Sequence, residues 1–298
     1  MTYHNPVLLM PSVDGLDIEP NGIYVDVTFG GGGHSREILR RLGQHGRLFA
    51  FDQDEDALEN AIEDPRFTLI NQNFRHLKRM LRFYNVRSVD GILADLGVSS
   101  HQFDVAERGF STRFEGALDM RMSRSNELNA YQVVNEYGET ELRRIFHDYG
   151  ELKNAPVVAR LILEARNPKP ISNTEQLKSV LSKLAPPHKI NKVLAQVFQA
   201  IRIEVNQEME VLKEFLEQSL DVLKPGGRLS VISYHSLEDR LVKRFMKNGM
   251  FEGEPERDIF GNFSVPFKTI EKLIVPDDDE IAQNSRARSA KLRIAEKL

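Results

Sequence analysis

Four glycines interrupt an apolar run where a strand should hand over to a helix: residues 23–35 read IYVDVTFGGGGHS. Bare backbone at that point leaves the volume of a Cβ open, so a ligand can lie against the chain and meet its amides. Three further residues have the type and the place to complete such a pocket. Asp52 closes the next apolar run about twenty residues after the glycines, where a carboxylate can accept hydrogen bonds from both hydroxyls of a ribose. Phe74 closes the third run, where its ring either stacks on an adenine or packs in the core. Asp95 closes the fourth, directly before Leu96-Gly97, either capping the next segment or standing where the reacting atoms belong. Taken together these residues predict a nucleoside-binding crevice. The dinucleotide fingerprint G-x-G-x-x-G is not met, because its third glycine falls at Ser35 or Arg36, and the Lys-Ser/Thr pair of a P-loop is missing.

The elements that must hold these residues follow from period and punctuation. Residues 23–29, 47–54, 67–74 and 89–97 are short apolar runs, and helical spacing at 35–43, 55–62 and 76–84 lies between them. Such alternation implies βαβ units and a parallel sheet, whose ligands gather at the carboxyl ends of the strands. Residues 98–125 keep no period and predict a long ordered loop. Helical patterns then run from 130 to 205, with breaks at Gly138, Gly150, Pro168 to Pro170 and Pro186-Pro187, and a long helix extends over 193–222, interrupted at most near Asn206. Pro225-Gly226-Gly227 stops that helix before a fifth strand at 228–234. Residues 267–274 and 289–298 predict a closing antiparallel pair, with the acidic run at 277–280 as a solvated loop between them. The expected division is 1–110 with 206–298 as one α/β domain and 111–205 as an inserted all-helical domain.

Composition sets the outer bounds. A chain of 298 residues with 41% hydrophobic and 28% charged residues suits two soluble bodies, and no stretch approaches the roughly 18 apolar residues of a membrane span. Cysteine is absent, which removes disulfides and thiolate metal sites, and the 8 histidines lack ligand spacing, so no metal is expected. The first residues lack a basic start followed by an apolar block, and a cytoplasmic location is the expectation. Net charge is −4, yet residues 160–202 hold 8 Lys or Arg against 2 acids, a face that suits either plain solvation or an RNA backbone.

Seven stretches are familiar as a set. TFGGGGHS (28–35), DLGVSS (95–100), ERGFS (107–111), LDMRM (118–122), FQAIRIEVN (198–206), KPGGRLSVISYHSLEDRLVKRF (224–245) and RARSAKLR (286–293) resemble, in the same order, the bacterial 16S ribosomal RNA methyltransferases that modify the exocyclic 4-amino group of cytosine, the RsmH (MraW) family. The resemblance runs from His4 nearly to the C-terminus. It implies a Rossmann-like S-adenosylmethionine-dependent methyltransferase sheet with a helical insertion, and 16S ribosomal RNA in the small ribosomal subunit as substrate. It places Gly32, Gly33 and His34 in the cofactor loop, Asp52 at the ribose, Phe74 at the adenine, and Asp95 and Gln102 at the remaining cofactor contacts. The chain departs from the family pattern at His101, where proline is usual, at Tyr234, where phenylalanine is common, and over 149–160, where Pro156 breaks the pattern.

Methyl transfer from a sulfonium is an in-line displacement, so alignment in a water-poor site is the main task. Asp95, or carbonyls near Leu96 and Gly97, are the expected acceptors for the weakly nucleophilic amine. Phe103, Phe110 and Tyr234 are candidates to stack the target base. His235, Ser236, Glu238 and Arg240 either hold base or phosphate or simply form a helix start capped by Ser236, with Glu238 on the surface. Arg286, Arg288 and Arg293 are expected to add phosphate contacts. A nicotinamide-dependent oxidoreductase and a non-catalytic RNA assembly factor are the rival readings, and monomer and homodimer stand equally open.

Overall fold

The computed structural model describes residues 6–255 and 265–298, so His4 lies outside the described residues. The chain forms two units, Met1–Gly97 with Met209–Leu298, and Val98–Glu208.

The first unit is the predicted α/β sheet. Its strands are β1 (Ile23–Asp26), β2 (Arg47–Asp52), β3 (Phe67–Asn71), β4 (Val89–Asp95), β5 (Leu223–Ser233), β6 (Phe267–Thr269) and β7 (Lys291–Lys297). They stand in the order β3-β2-β1-β4-β5-β7-β6. The first five are parallel, and β7 runs antiparallel between β5 and β6. Strand order reverses between β1 and β4, and the crevice outside such a switch point is where an open α/β sheet takes its ligand. Continuous apolar runs build these strands because both faces are covered. Val25, Phe49, Ile92 and Val231 are buried with Leu77, Leu81 and Phe215 from the helices behind them. Each such side chain contributes about 1.5–3 kcal/mol relative to exposure.

Several elements differ from the sequence expectation. β1 stops at Asp26 and β3 at Asn71, short of their apolar runs, so Phe74 opens a 3-10 turn, Phe74–His76, capped by the Asn73 side chain. β5 instead begins at Leu223 and runs through Pro225-Gly226-Gly227, the expected stop before 228, to Ser233. The 55–62 segment is a 3-10 helix, Glu55–Asn60, with Ala57 its buried residue, so packing gives little to extend it. The helical stretch over 193–222 is two helices, Pro187–Asn206 and Glu208–Val222, parted at Gln207, whose φ of 51° is left-handed. β6 covers three residues, and Ile274 returns to β7 through a single bridge to Leu292. The acidic run at 277–280 is no loop. Asp277 caps the helix Asp278–Gln283 by accepting from the Glu280 amide, and acids in a first turn suit the positive end of the helix dipole.

The second unit is helical and begins earlier than expected. Ser99 and Gln102 form a capping box on the helix Ser100–Asp104, a 3-10 turn follows at Ala106–Arg108, and Phe110, Leu118 and Met120 enter the helical core. The rest of the expected ordered loop, 109–125, forms no helix or strand. Asn206 stitches it down, accepting from the Met122 amide at 2.7 Å and donating to the Met120 carbonyl at 2.8 Å. Arg108 is buried and donates to the carbonyls of Arg121 and Met122. Pro156, the departure from the family pattern, stands in the first turn of the helix Ala155–Arg166, where no amide is needed from it.

Candidate active site

The glycine loop is built around its neighbours as much as around a ligand. Gly30 and Gly32 take φ of 49° and 75°, the region where any Cβ strains the chain. A Cβ on Gly32 would also lie 2.8 Å from the Phe29 ring and from the Arg36 guanidinium. Gly33 begins the helix Gly33–Arg41, and a Cβ there would stand 2.1 Å from Pro6. Pro6, Val7 and Leu8 form a strap along this edge. Val7 offers its carbonyl to His34 Nε2 at 3.2 Å, and the Leu8 amide donates to Glu280 Oε1 at 2.6 Å. Val7 and Leu8 bury their side chains beside Ile232, Ala287 and Leu292.

Three carboxylates stand at the ends of adjacent strands. Asp26, at the end of β1, is wholly buried and accepts from Ser35 Oγ at 2.7 Å and from the Thr28 amide at 3.1 Å. Asp52, at the end of β2, accepts from the Gly30 amide at 2.7 Å and the Asp54 amide at 2.8 Å. Asp95, at the end of β4, receives the Tyr234 hydroxyl on Oδ1 at 2.7 Å, while its amide donates to Thr28 Oγ1 at 2.6 Å. Burial pushes the carboxyl pKa of all three up to about 6, and Asp26 adds repulsion to both Asp52 and Asp95. Asp52 and Asp95, partly exposed with Asp26 buried between their strands, favour a cationic ligand at this edge. Asp52 still has lone pairs beyond its two amide bonds, so it can take hydroxyl donors as well.

His34 is buried, and burial lowers its pKa, with Asp95 opposing. A carbonyl only accepts, so Nε2 carries the proton given to Val7 and Nδ1 is left as an acceptor. That nitrogen stands 4.0 Å from Asp95 Oδ2. Asp95 keeps 23% of its side chain exposed. Burial and the Asp95 carboxylate raise the Tyr234 phenol well above its usual value, so it remains a donor. Phe74 is half-buried, with its ring edge-on to Phe215 at 5.3 Å.

Past β5 the structure corrects the reading of YHSLEDR. The cap of the helix Ser236–Asn248 is His235, not Ser236, and Glu238 is buried, not on the surface. Glu238 accepts from the Tyr234 amide at 2.8 Å and so sets the start of the helix beside the ring that holds Asp95. Asp239 accepts from Arg293 Nε at 2.7 Å and from Lys291 Nζ at 3.3 Å, which commits Arg293 to a largely buried pair in place of the expected phosphate contact. Arg240 is exposed on the same helix.

The remaining predicted residues lie in the helical unit. Gln102 is buried and accepts from the Ser99 amide within its capping box. Phe110 is buried in the helical core, with the Arg108 guanidinium 5.9 Å from its ring centre, and Phe103 packs against the same core. A base needs an open ring face, which Phe110 does not offer. Of the basic face, Arg166 donates to the Val134 and Tyr137 carbonyls and Arg202 pairs with Glu208, whereas Lys183, Lys189 and Lys192 are exposed.

Asp26, Thr28, Ser35 and Glu280 were not singled out as site residues by the sequence, and Glu238 was, but for a surface role. A charged residue inside the apolar run IYVDVTF is a signal for Asp26, since an unpaired carboxylate is rarely buried. No local signal points to Glu280.

Residues 1–298 match the description of the MraW methylase family. The chain belongs to that family. S-adenosylmethionine is the methyl donor of an MraW methylase, and the ring of carboxylates fits a sulfonium cation joined to a ribose. Among relatives, the protein named Ribosomal RNA small subunit methyltransferase H of Flavobacterium johnsoniae shares 76% identity over 298 residues, which is 100% of this chain and 99% of the relative. Proteins with the same name from Flavobacterium psychrophilum and Bacteroides thetaiotaomicron share 70% and 58%, covering 97% and 100% of this chain and 100% and 98% of their own. Membership in a methylase family sets aside the nicotinamide reading of the MraW crevice.

Proposed function

We propose that this MraW methylase transfers a methyl group to the exocyclic 4-amino group of a cytidine in the 16S ribosomal RNA of the small ribosomal subunit, in the cytoplasm. The substrate class rests on the name its relatives carry. Among the described residues no helix is long and apolar enough to cross a membrane.

The choice of an amine rests on one observation. His34 Nδ1 and Asp95 Oδ2 present two acceptors 4.0 Å apart, and an exocyclic amine carries two N–H donors where a hydroxyl carries one. S-adenosylmethionine supplies the methyl on a sulfonium. Gly32, Gly33 and His34 line its loop, Asp52 takes the ribose hydroxyls, and Phe74 borders the adenine. Asp95 accepts an N–H of the target amine, which localises the nitrogen lone pair, and then takes up the proton the methylated amine sheds. Tyr234 keeps Oδ1 occupied, so that Oδ2 faces the work. Strap contacts through Val7 hold the His34 ring in one tautomer. The lysines of the helical unit meet RNA phosphate, and turning a paired base outward costs on the order of a few kcal/mol, repaid by such contacts.

The test is labelled-methyl transfer to unmethylated small subunits, followed by mass spectrometry of the ribosomal RNA. One cytidine bearing the mark on its 4-amino group is expected. A mark on a ring carbon or a ribose hydroxyl, or equal labelling of free cytidine, overturns the reading.

A further inference from the structure

Residues 75–89 carry Arg75, Lys78, Arg79, Arg82 and Arg87 and no acid. They form the helix Leu77–Phe83 and the turn into β4. The neighbouring helix Glu208–Val222 meets part of this charge: Glu214 takes Arg75 at 2.7 Å, and Asp221 takes Lys78. Arg79, Arg82 and Arg87 are exposed and in excess of those acids. Phe83, between them, is 74% exposed and touches Tyr84 edge-on, with ring centres 5.2 Å apart. Its exposure gives the core nothing. A groove of about 860 Å³ opens here, lined by Lys78, Arg82, Asn85, Arg87 and Asp221.

The groove precedes the first residues of β4 and β5, on the amino edge of the sheet, whereas Asp95 ends β4 on the carboxyl edge. Six residue steps of strand, Val89 to Asp95, separate the two, about 20 Å at about 3.3 Å per step. This surface therefore takes no part in the chemistry.

We propose that it is a second RNA contact, which grips a single-stranded run of the ribosomal RNA substrate outside the target nucleotide, phosphates on Arg79, Arg82 and Arg87 and one base on Phe83. The inference rests on the reading of the substrate as ribosomal RNA. Guanidinium groups bind phosphate bidentately, and an exposed ring between them is the usual platform for an unpaired base. A protein surface could also use arginine and an exposed ring, and the transcript-binding arm of the test separates the two.

The test compares the wild type with the double variant Arg82→Ala/Arg87→Ala, with Phe83→Ala, and with Arg82→Lys/Arg87→Lys. Methyl transfer to small subunits, filter binding to in vitro transcribed 16S RNA and affinity for S-adenosylmethionine are read for each, at salt from 50 to 200 mM. The double alanine variant should raise KM for subunits, leave kcat and cofactor affinity unchanged, and flatten the logarithmic salt slope by about 1.4, at about 0.7 per lost single-strand phosphate contact. The wild-type advantage then shrinks about sevenfold between 50 and 200 mM. Phe83→Ala should weaken RNA binding with the salt slope kept, and the lysine pair should restore that slope. Unchanged KM and slope overturn the proposal. Weaker binding to subunits with unchanged binding to the bare transcript also overturns it, in favour of a protein partner. If the wild type methylates no small subunit, the substrate reading fails, while transcript binding still judges this surface.

Discussion

Replacing Asp95 with Asn should make the catalytic unit more stable and the enzyme nearly inactive. Burial raises the Asp95 carboxyl from 3.8 to about 6, so the folded chain holds this proton to a higher pH than the unfolded chain does. Stability from this group is therefore present in full at low pH and falls as pH rises from about 4 to about 6. Above pH 6 the folded state carries the whole penalty, 6 minus 3.8 or about 2.2 pKa units, which at 1.36 kcal/mol each is about 3 kcal/mol. Asn cannot ionise, and its carbonyl oxygen can still accept the Tyr234 hydroxyl. Urea denaturation should find Asp95→Asn more stable than wild type by up to about 3 kcal/mol at pH 8 and by roughly half of that at pH 5. Single-turnover methyl transfer should fall by about 10²–10⁴-fold, the range for loss of a general base and equivalent to about 3–5 kcal/mol of barrier. The wild-type rate should climb with pH through about 6 and then level, and the variant should show no such rise. A variant that is less stable at pH 8, or that keeps its rate within a few-fold, would refute the assignment of Asp95 as a strained, proton-accepting carboxylate.

The strap yields two further predictions. Gly33→Ala drives a Cβ to 2.1 Å from Pro6, so it should lower stability by about 1–3 kcal/mol and weaken S-adenosylmethionine binding in calorimetry, whereas Gly31→Ala, at a backbone without the positive φ of Gly30 and Gly32, should do neither. Glu280→Ala leaves the buried Leu8 amide without its acceptor at a cost of about 1–3 kcal/mol, read by denaturant midpoint and by faster hydrogen exchange at Leu8, and Glu280→Gln, which retains an oxygen, should recover most of the loss.

The strand ends were legible in the sequence because local pattern determines them. An apolar run buried on both faces must end where a polar group meets the crevice, and Asp52 and Asp95 stand there for that reason. Partners that are distant along the chain left no such trace. Gly33 lies beneath Pro6, Leu8 is held by Glu280 across 272 residues, and Asp239 holds Arg293 across 54. Nothing local distinguishes a Gly33 packed under Pro6 from one that only makes room for a ligand, the helix Asp278–Gln283 from a solvated loop, or an Arg293 paired with Asp239 from a phosphate contact, because charge and small size carry no address. Asp26 was passed over for the opposite reason, since its apolar setting marked a strand and concealed a buried acid. Its cost connects fold to function. Asp26, Asp52 and Asp95 crowd one edge, each with its pKa raised to about 6, and repulsion from Asp26 reaches the other two. Their bonds to Ser35, Thr28, Gly30 and Asp54 hold the loop, but the repulsion among them gives folding nothing. On the proposed function, a sulfonium bound beside Asp95 would offset that repulsion, and its charge would vanish when the methyl group leaves, so the thioether product would be held less tightly than the methyl donor.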